Sequence, residues 1–226
     1  MHLVLINPNA TQSMTDKMRD AIQLCVSDST DITAVSVRDA PPSIQGYYDI
    51  AACMGGLIRT AEEYHNADGI LIGCFDDTGV DAVRCITDAP VIGIGEAAYY
   101  GASMIAPKFV VVTTLSRSVT GLEANLQRYG LWHRCTGIRA SDVSVLSLEE
   151  MQEASLNAIR AQITASLEED KAEAIVLGCA GMTDLMRLFE AEFHVPVIDG
   201  VKMGATMLEA LFKNGVKTSH HRTYRR

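Results

Sequence analysis

The sequence predicts an α/β protein built from two halves related by a pseudo-twofold axis, each a short parallel sheet flanked by helices. Three observations carry this. Short β-rich apolar runs alternate with segments of helical period, the pattern of βαβ units rather than of a barrel or bundle. The run Gly69-Ile70-Leu71-Ile72-Gly73-Cys74 returns 105 residues later as Ala174-Ile175-Val176-Leu177-Gly178-Cys179. A Pro-Val-Ile run follows each cysteine, Pro90-Val91-Ile92 after 16 residues in the first half and Pro196-Val197-Ile198 after 17 in the second. Shifted by the same offset, Val4-Leu5-Ile6-Asn7 falls on Phe109-Val110-Val111-Val112, so the whole first half is duplicated.

The strands fall at 3–7, 31–37, 69–74, 90–94, 108–114, 135–140, 174–179 and 195–199. Between the first two, Met14, Met18, Ala21, Ile22 and Cys25 recur at helical spacing, and Ser13-x-x-Asp16 supplies a capping-box start. Ser147-x-x-Glu150 opens a second clear helix, in which Met151, Ala154, Leu156, Ile159, Ile163 and Leu167 alternate with charges. These elements divide the chain into a half at 1–105, a half at 106–199 and a helix at 200–214 that packs back on the first half. A polar, basic tail at 215–226 is expected to fray.

Composition narrows the function classes. With 226 residues, 48% of them hydrophobic, the chain can bury a core without metal or disulfides. A net charge of −9 leaves no broad positive field for nucleic acid or an anionic membrane. No apolar run approaches the ~20 residues that cross a bilayer, and the N-terminus shows no signal-peptide pattern. The expectation is a cytoplasmic protein whose partner is a small molecule. The six cysteines show no C-x-x-C pair, so neither a zinc site nor a disulfide scaffold is implied. Cys25, Cys53, Cys85 and Cys135 read as packing residues.

Cys74 and Cys179 read differently. Each ends an apolar strand just before a helix is expected, at the sheet edge where open α/β folds bind ligands. Helix N–H groups there would lower a thiol pKa toward neutrality. A pseudo-twofold would set the two sulfurs on opposite sides of one ligand. Racemising a carbon centre needs a base on one face and an acid on the other, and a thiolate and a thiol fill those roles interchangeably. Each unit by which the carbon acid's pKa exceeds the thiol's adds ~1.4 kcal/mol to the barrier. One oxyanion donor returns only about 2.7–4 kcal/mol, so several are needed. The N–H groups around Phe75, Asp76, Ala180, Gly181 and Met182 are candidates, with Asn7, Asn9, Thr113 and Thr114 at the first strand end of each half. Gly46 and Tyr47, in the loop opened by Pro41-Pro42, are candidate substrate-covering residues, with Tyr48 beside them.

At these residues the chain resembles the hydantoin and allantoin racemase branch of the aspartate/glutamate racemase superfamily. The resemblance runs through Ile6-Asn7-Pro8-Asn9-Ala10-Thr11, Pro42-Ser43-Ile44-Gln45-Gly46-Tyr47-Tyr48-Asp49 and Gly73-Cys74-Phe75-Asp76-Asp77. It continues through Gly93-Ile94-Gly95-Glu96-Ala97-Ala98, Val112-Thr113-Thr114 and Leu177-Gly178-Cys179-Ala180-Gly181-Met182. It implies flavodoxin-like domains, a homo-oligomer, no cofactor and no metal, with Cys74 and Cys179 as the acid/base pair acting on 5-monosubstituted hydantoins or allantoin. The chain departs from the family pattern in having Thr78 where Pro is common and Gln45 where Glu is common, and Gln45 bears on the substrate side chain accepted. Asp76 and Asp77 are expected to raise the Cys74 pKa, leaving Cys179 the more acidic thiol.

Rival readings exist. Gly93-x-Gly95-x-x-Ala98 matches a dinucleotide fingerprint, although the next strand ends in Thr113-Thr114 without the acidic ribose partner. A tight strand-to-helix turn fits that segment better. Cys179 lacks the glycine at Leu177 that a hydrolase elbow needs, and no nearby histidine serves as its base. A cysteine-dependent isomerase or decarboxylase of the same superfamily would need one cysteine alone. A non-enzymatic binding module would need neither.

Overall fold

The computed structural model describes residues 1–148 and 152–226. Glu150 and Met151, expected to open the second-half helix, lie outside them. Two four-stranded sheets are present, every pairing parallel. The first contains β1 (His2–Asn7), β2 (Asp31–Ser36), β3 (Gly69–Ile72) and β4 (Val91–Gly93). The second contains β5 (Phe109–Thr113), β6 (Cys135–Ala140), β7 (Ala174–Leu177) and β8 (Val197–Asp199). Their orders, β2-β1-β3-β4 and β6-β5-β7-β8, are equivalent. In each, the order reverses beside the first strand, which opens a crevice at the carboxyl ends.

The helices are α1 (Gln12–Gln23), α2 (Tyr47–Glu63), α3 (Val80–Arg84), α4 (Ile94–Ile105), α5 (Val119–Arg128), α6 (Glu153–Glu168), α7 (Met186–Phe193) and α8 (Gly200–Lys213). The strands read as continuous apolar runs because both faces of each sheet are covered. Leu3, Leu5 and Leu71 of the first sheet share one core with Phe109, Val111, Ala174 and Val176 of the second. That core also takes Met18 and Ile22 of α1, Ala97, Tyr99 and Ala102 of α4, Leu122 and Leu126 of α5, and Val201, Ala205 and Leu208 of α8. The alternate residues Val4, Ile6, Ile70 and Ile72 face outward under α2 and α3. Val110, Val112, Ile175 and Leu177 do the same under α6 and α7. Central helices thus lie between two sheets, with an outer helical layer on each side.

The last helix of each half is exchanged. α4 follows β4 but packs on β7 and β8, whereas α8 follows β8 but packs on β3 and β4, and the two helices meet at the centre. This reciprocity joins the halves into one body whose cleft has two dissimilar sources of side chains.

Three local expectations are corrected. Helix α1 begins at Gln12 with Thr11 as its N-cap, so Ser13 lies inside it rather than capping it. Thr11 Oγ1 instead donates to the Pro42 carbonyl at 2.6 Å, tying α1 to the loop before α2. Helix α3 begins only at Val80, six residues past Cys74, after a glycine at φ +73°. The basic tail is pinned rather than frayed. Thr218 N–H donates to the Asp88 carbonyl, Tyr224 Oη to Asp81 at 2.9 Å, and Arg226 pairs with Glu62 at 2.8 Å. Among the described residues no helix is long and apolar enough to cross a membrane.

Candidate active site

Each cysteine lies two residues past its strand, Cys74 after β3 and Cys179 after β7. The preceding glycines explain the shared Gly-Cys pair. Gly73 N–H donates to the Ile6 carbonyl at 2.9 Å and Gly178 N–H to the Val112 carbonyl at 2.8 Å. A β-carbon on Gly73 would sit 2.9 Å from Met18 Sδ, and one on Gly178 would sit 2.9 Å from Thr113 Cβ. At Gly178 the chain thus turns close against the neighbouring strand β5, and at Gly73 against the flexible end of an α1 side chain. Matching turns then follow: the Cys74 carbonyl accepts from Asp77 N–H and the Cys179 carbonyl from Met182 N–H, both at 3.0 Å.

Both cysteines line a single cleft between the halves. Of the residues the sequence singled out, Asn9, Phe75, Asp76, Thr113, Thr114, Ala180 and Gly181 line it with them. Asn7 and Met182 stand behind the wall, both fully buried. The Asn7 amide donates to Asn9 Oδ1 at 2.9 Å and Thr15 Oγ1 at 2.8 Å, and so orients Asn9. Met182 packs in the second outer core. Gly46 and Tyr47 line a smaller neighbouring pocket with Ile50, Arg117 and Gly121, which shares Asp76 and Ser118 with the cleft. Tyr48 is 85% exposed and faces solvent.

Sequence reasoning missed four lining residues: Met14, Ile44, Ser118 and Val145. Met14 was assigned to the core stripe of α1, where its burial indeed places it, and the other three lie in loops or a helix cap without periodicity.

Cys74 is 9% exposed. Burial pushes its thiol well above the ordinary range, and the charge of Asp76 pushes it further. Two donors oppose this: the Asp76 backbone N–H, and Thr78 Oγ1 at 3.6 Å from the sulfur. The expected lowering by a helix N-terminus does not occur at Cys74, because the helix starts too far downstream. Cys179 does cap a helical segment, the 3₁₀ stretch Ala180–Leu185. Asp76 itself is pushed up to about 6 by burial against the cleft wall.

Asp77 departs from the sequence expectation. Its carboxylate turns away from Cys74 and accepts from Gly95 N–H at 2.9 Å, Glu96 N–H at 2.8 Å and Tyr129 Oη at 2.8 Å. The Gly93-x-Gly95 segment is therefore occupied by a side chain of the protein itself. Glu96 pairs with Arg84 at 2.7 Å, a structural role. Among the described residues no cluster of His, Cys, Asp and Glu could hold a metal ion. Cys53 packs beside Cys74 and Ile44 in a small apolar cluster.

Two doubled parallel sheets that each deliver one cysteine to a common cleft define a class: two-domain α/β enzymes with a pseudosymmetric site. The chain belongs to the Asp/Glu/hydantoin racemase family, whose model matches residues 3–208, and it is accordingly an isomerase of the racemase type. It is 40% identical to a hydantoin racemase of Pseudomonas sp. strain NS671 over 227 residues, covering 100% of this chain and 91% of that protein. The allantoin racemase from Klebsiella pneumoniae superposes with a TM-score of 0.95 at 36% identity, over 99% of this chain and 92% of the other. The allantoin racemase from Pseudomonas fluorescens superposes with a TM-score of 0.96 at 32% identity, over 99% and 96%.

Proposed function

We propose that the protein racemises 5-monosubstituted hydantoins or allantoin by moving the α-proton between Cys74 and Cys179. The observation that carries the reading is the delivery of both sulfurs to one cleft by equivalent strand ends. One thiolate takes the proton from carbon, an enolate forms, and the opposite thiol returns a proton to the other face; the two sulfurs then hold exchanged protonation states. The same pair runs the reverse reaction with roles swapped. Backbone N–H groups at Phe75, Ala180 and Gly181, with the Thr114 and Asn9 side chains, are assigned to the ring's oxygen atoms and its developing charge, while the Asp76 N–H serves the Cys74 sulfur and the Thr113 hydroxyl holds the Gly178 carbonyl at 3.0 Å. A hydantoin ring presents N–H donors, which suits a wall carrying the Asp76 carboxylate. Residues Gly46 and Tyr47, at the adjoining pocket, are assigned to the 5-substituent, and Asn7 and Met182 to support of the wall. The chemistry calls on side chains and backbone of the chain alone. A cytoplasmic homo-oligomer is part of the same reading, checked by light scattering of the purified chain.

The deciding experiment incubates single enantiomers of allantoin and of several 5-substituted hydantoins in D₂O. Optical rotation should fall as the α-hydrogen signal disappears. Release of carbon dioxide or ammonia, or binding with no hydrogen exchange, sinks the proposal.

A further inference from the structure

The Gly93-Ile94-Gly95-Glu96 segment is the one sequence motif the proton-transfer reading leaves unused. In the structure it cradles Asp77, a residue with φ +53° that is 4% exposed. A β-carbon on Gly93 would overlap Asp77 Oδ1, and one on Gly95 would come within 2.8 Å of Oδ2 and overlap the Phe75 carbonyl oxygen. Both glycines thus make room for the carboxylate and for the turn after Cys74. The carboxylate caps the start of α4 through Gly95 and Glu96, while its own backbone N–H holds the Cys74 carbonyl at 3.0 Å. From the second half, Tyr129 Oη completes the clamp and Asn125 Nδ2 donates to the Asp76 carbonyl at 2.8 Å.

We propose that Asp77 is a positioning residue for Cys74: clamped between the α4 N-terminus and Tyr129, it fixes the left-handed turn that aims the sulfur into the cleft. The proposal rests on Cys74 acting in proton transfer. The backbone at Asp77 is held in a region that L-residues rarely adopt, so the turn persists only while its carboxylate is satisfied. Three groups converge on one side chain, and all three belong to elements other than its own. In the second repeat Met182 occupies the corresponding place and packs as an apolar side chain, and the turn after Cys179 is tied to the start of α8 by Asp199 instead, which accepts from Thr183 Oγ1 and from Val201 N–H at 2.9 Å. The Asp77 clamp therefore acts on the Cys74 side of the cleft.

The test uses the full chain and reads each cysteine separately by mass spectrometry after timed alkylation. Asp77→Asn places an amide N–H against backbone donors; it should change the Cys74 alkylation rate by at least about fivefold while Cys179 stays within about twofold. On hydantoins or allantoin, kcat for α-hydrogen exchange should fall by at least about tenfold with KM moving less than about threefold, as misplacement of a reacting group predicts. Tyr129→Phe, which removes a single donor, should move the same readouts in the same direction by a smaller factor. If Asp77→Asn does not fold at the assay temperature, Tyr129→Phe decides alone. A folded variant in which both cysteines react as in the parent chain, or in which both shift alike, overturns the proposal. Failure of the parent chain to exchange hydrogen with any of these rings would overturn the functional reading instead, since the alkylation ratio needs no substrate.

Discussion

Arg117 of the second half donates its guanidinium to Gln45 Oε1 of the first, linking the two halves beside the pocket that adjoins the cleft. The loop side of this latch is braced: Gln45 Nε2 donates to Ser43 Oγ at 2.7 Å and Gln45 N–H to Asp49 at 2.9 Å. Arg117 also lines the pocket beside Tyr47. Cutting the latch should loosen this link without touching the sulfurs. Arg117→Ala is expected to raise KM by about 3–10-fold while kcat changes by less than about twofold, the signature of lost uniform binding. Polarimetric initial rates over a range of substrate concentrations read this directly, and an unchanged KM removes the latch from substrate binding.

Replacing either cysteine should stop the reaction. Cys74→Ser and Cys179→Ser are each expected to lose at least about 10²-fold in racemisation, the usual share of a positioned acid or base. Substantial racemisation in one of the two variants would point to a single-cysteine mechanism.

Asp76 sets the acidity of Cys74 with a defined sign. Burial raises the thiol most and the negative charge of Asp76 raises it further, so Asp76→Asn should lower the Cys74 pKa. The pH at which Cys74 alkylation reaches half its maximal rate then moves down. A shift upward, or none, would mean that the carboxylate is not felt at the sulfur.

The two cleft glycines should differ in tolerance. At Gly178 a new methyl meets Thr113 Cβ at 2.9 Å and its backbone Cα at 3.0 Å, atoms fixed in β5. At Gly73 the first contact is Met18 Sδ at 2.9 Å, the far end of a flexible side chain. Gly178→Ala should destabilise by about 1–3 kcal/mol, as overpacking does, and Gly73→Ala by clearly less. Urea unfolding midpoints compare them, and the reverse order would contradict the packing argument.

Much of this architecture was legible because the sequence repeats itself. The doubled Gly-Cys strand ends located both sheets and brought Cys74 and Cys179 into one argument before any coordinates. What stayed hidden has physical reasons. The length of the turn after Cys74 could not be read because Phe75-Asp76-Asp77 has no period, and the helix-based expectation of an acidic thiol failed there. Asp77 looked like a neighbour of Cys74 in sequence, yet its left-handed backbone swings the carboxylate into a glycine cradle 16 residues downstream. Val145 and Ser118 entered the cleft from segments with no pattern. The polar tail carried the composition of a loose end, and its anchoring through Tyr224 depends on partners near Asp81 that only the fold assembles.

The crossing of α4 and α8 has a consequence for how such a molecule could be taken apart. A polypeptide cut near residue 106 yields two pieces, each missing the lid of its own inner sheet and carrying the lid of the other's. Apolar side chains that the intact molecule hides, Leu71 on one side and Val176 on the other, would lie bare until the complement arrived. Neither fragment is a self-sufficient module, and a single-repeat version of this design becomes watertight only as a pair.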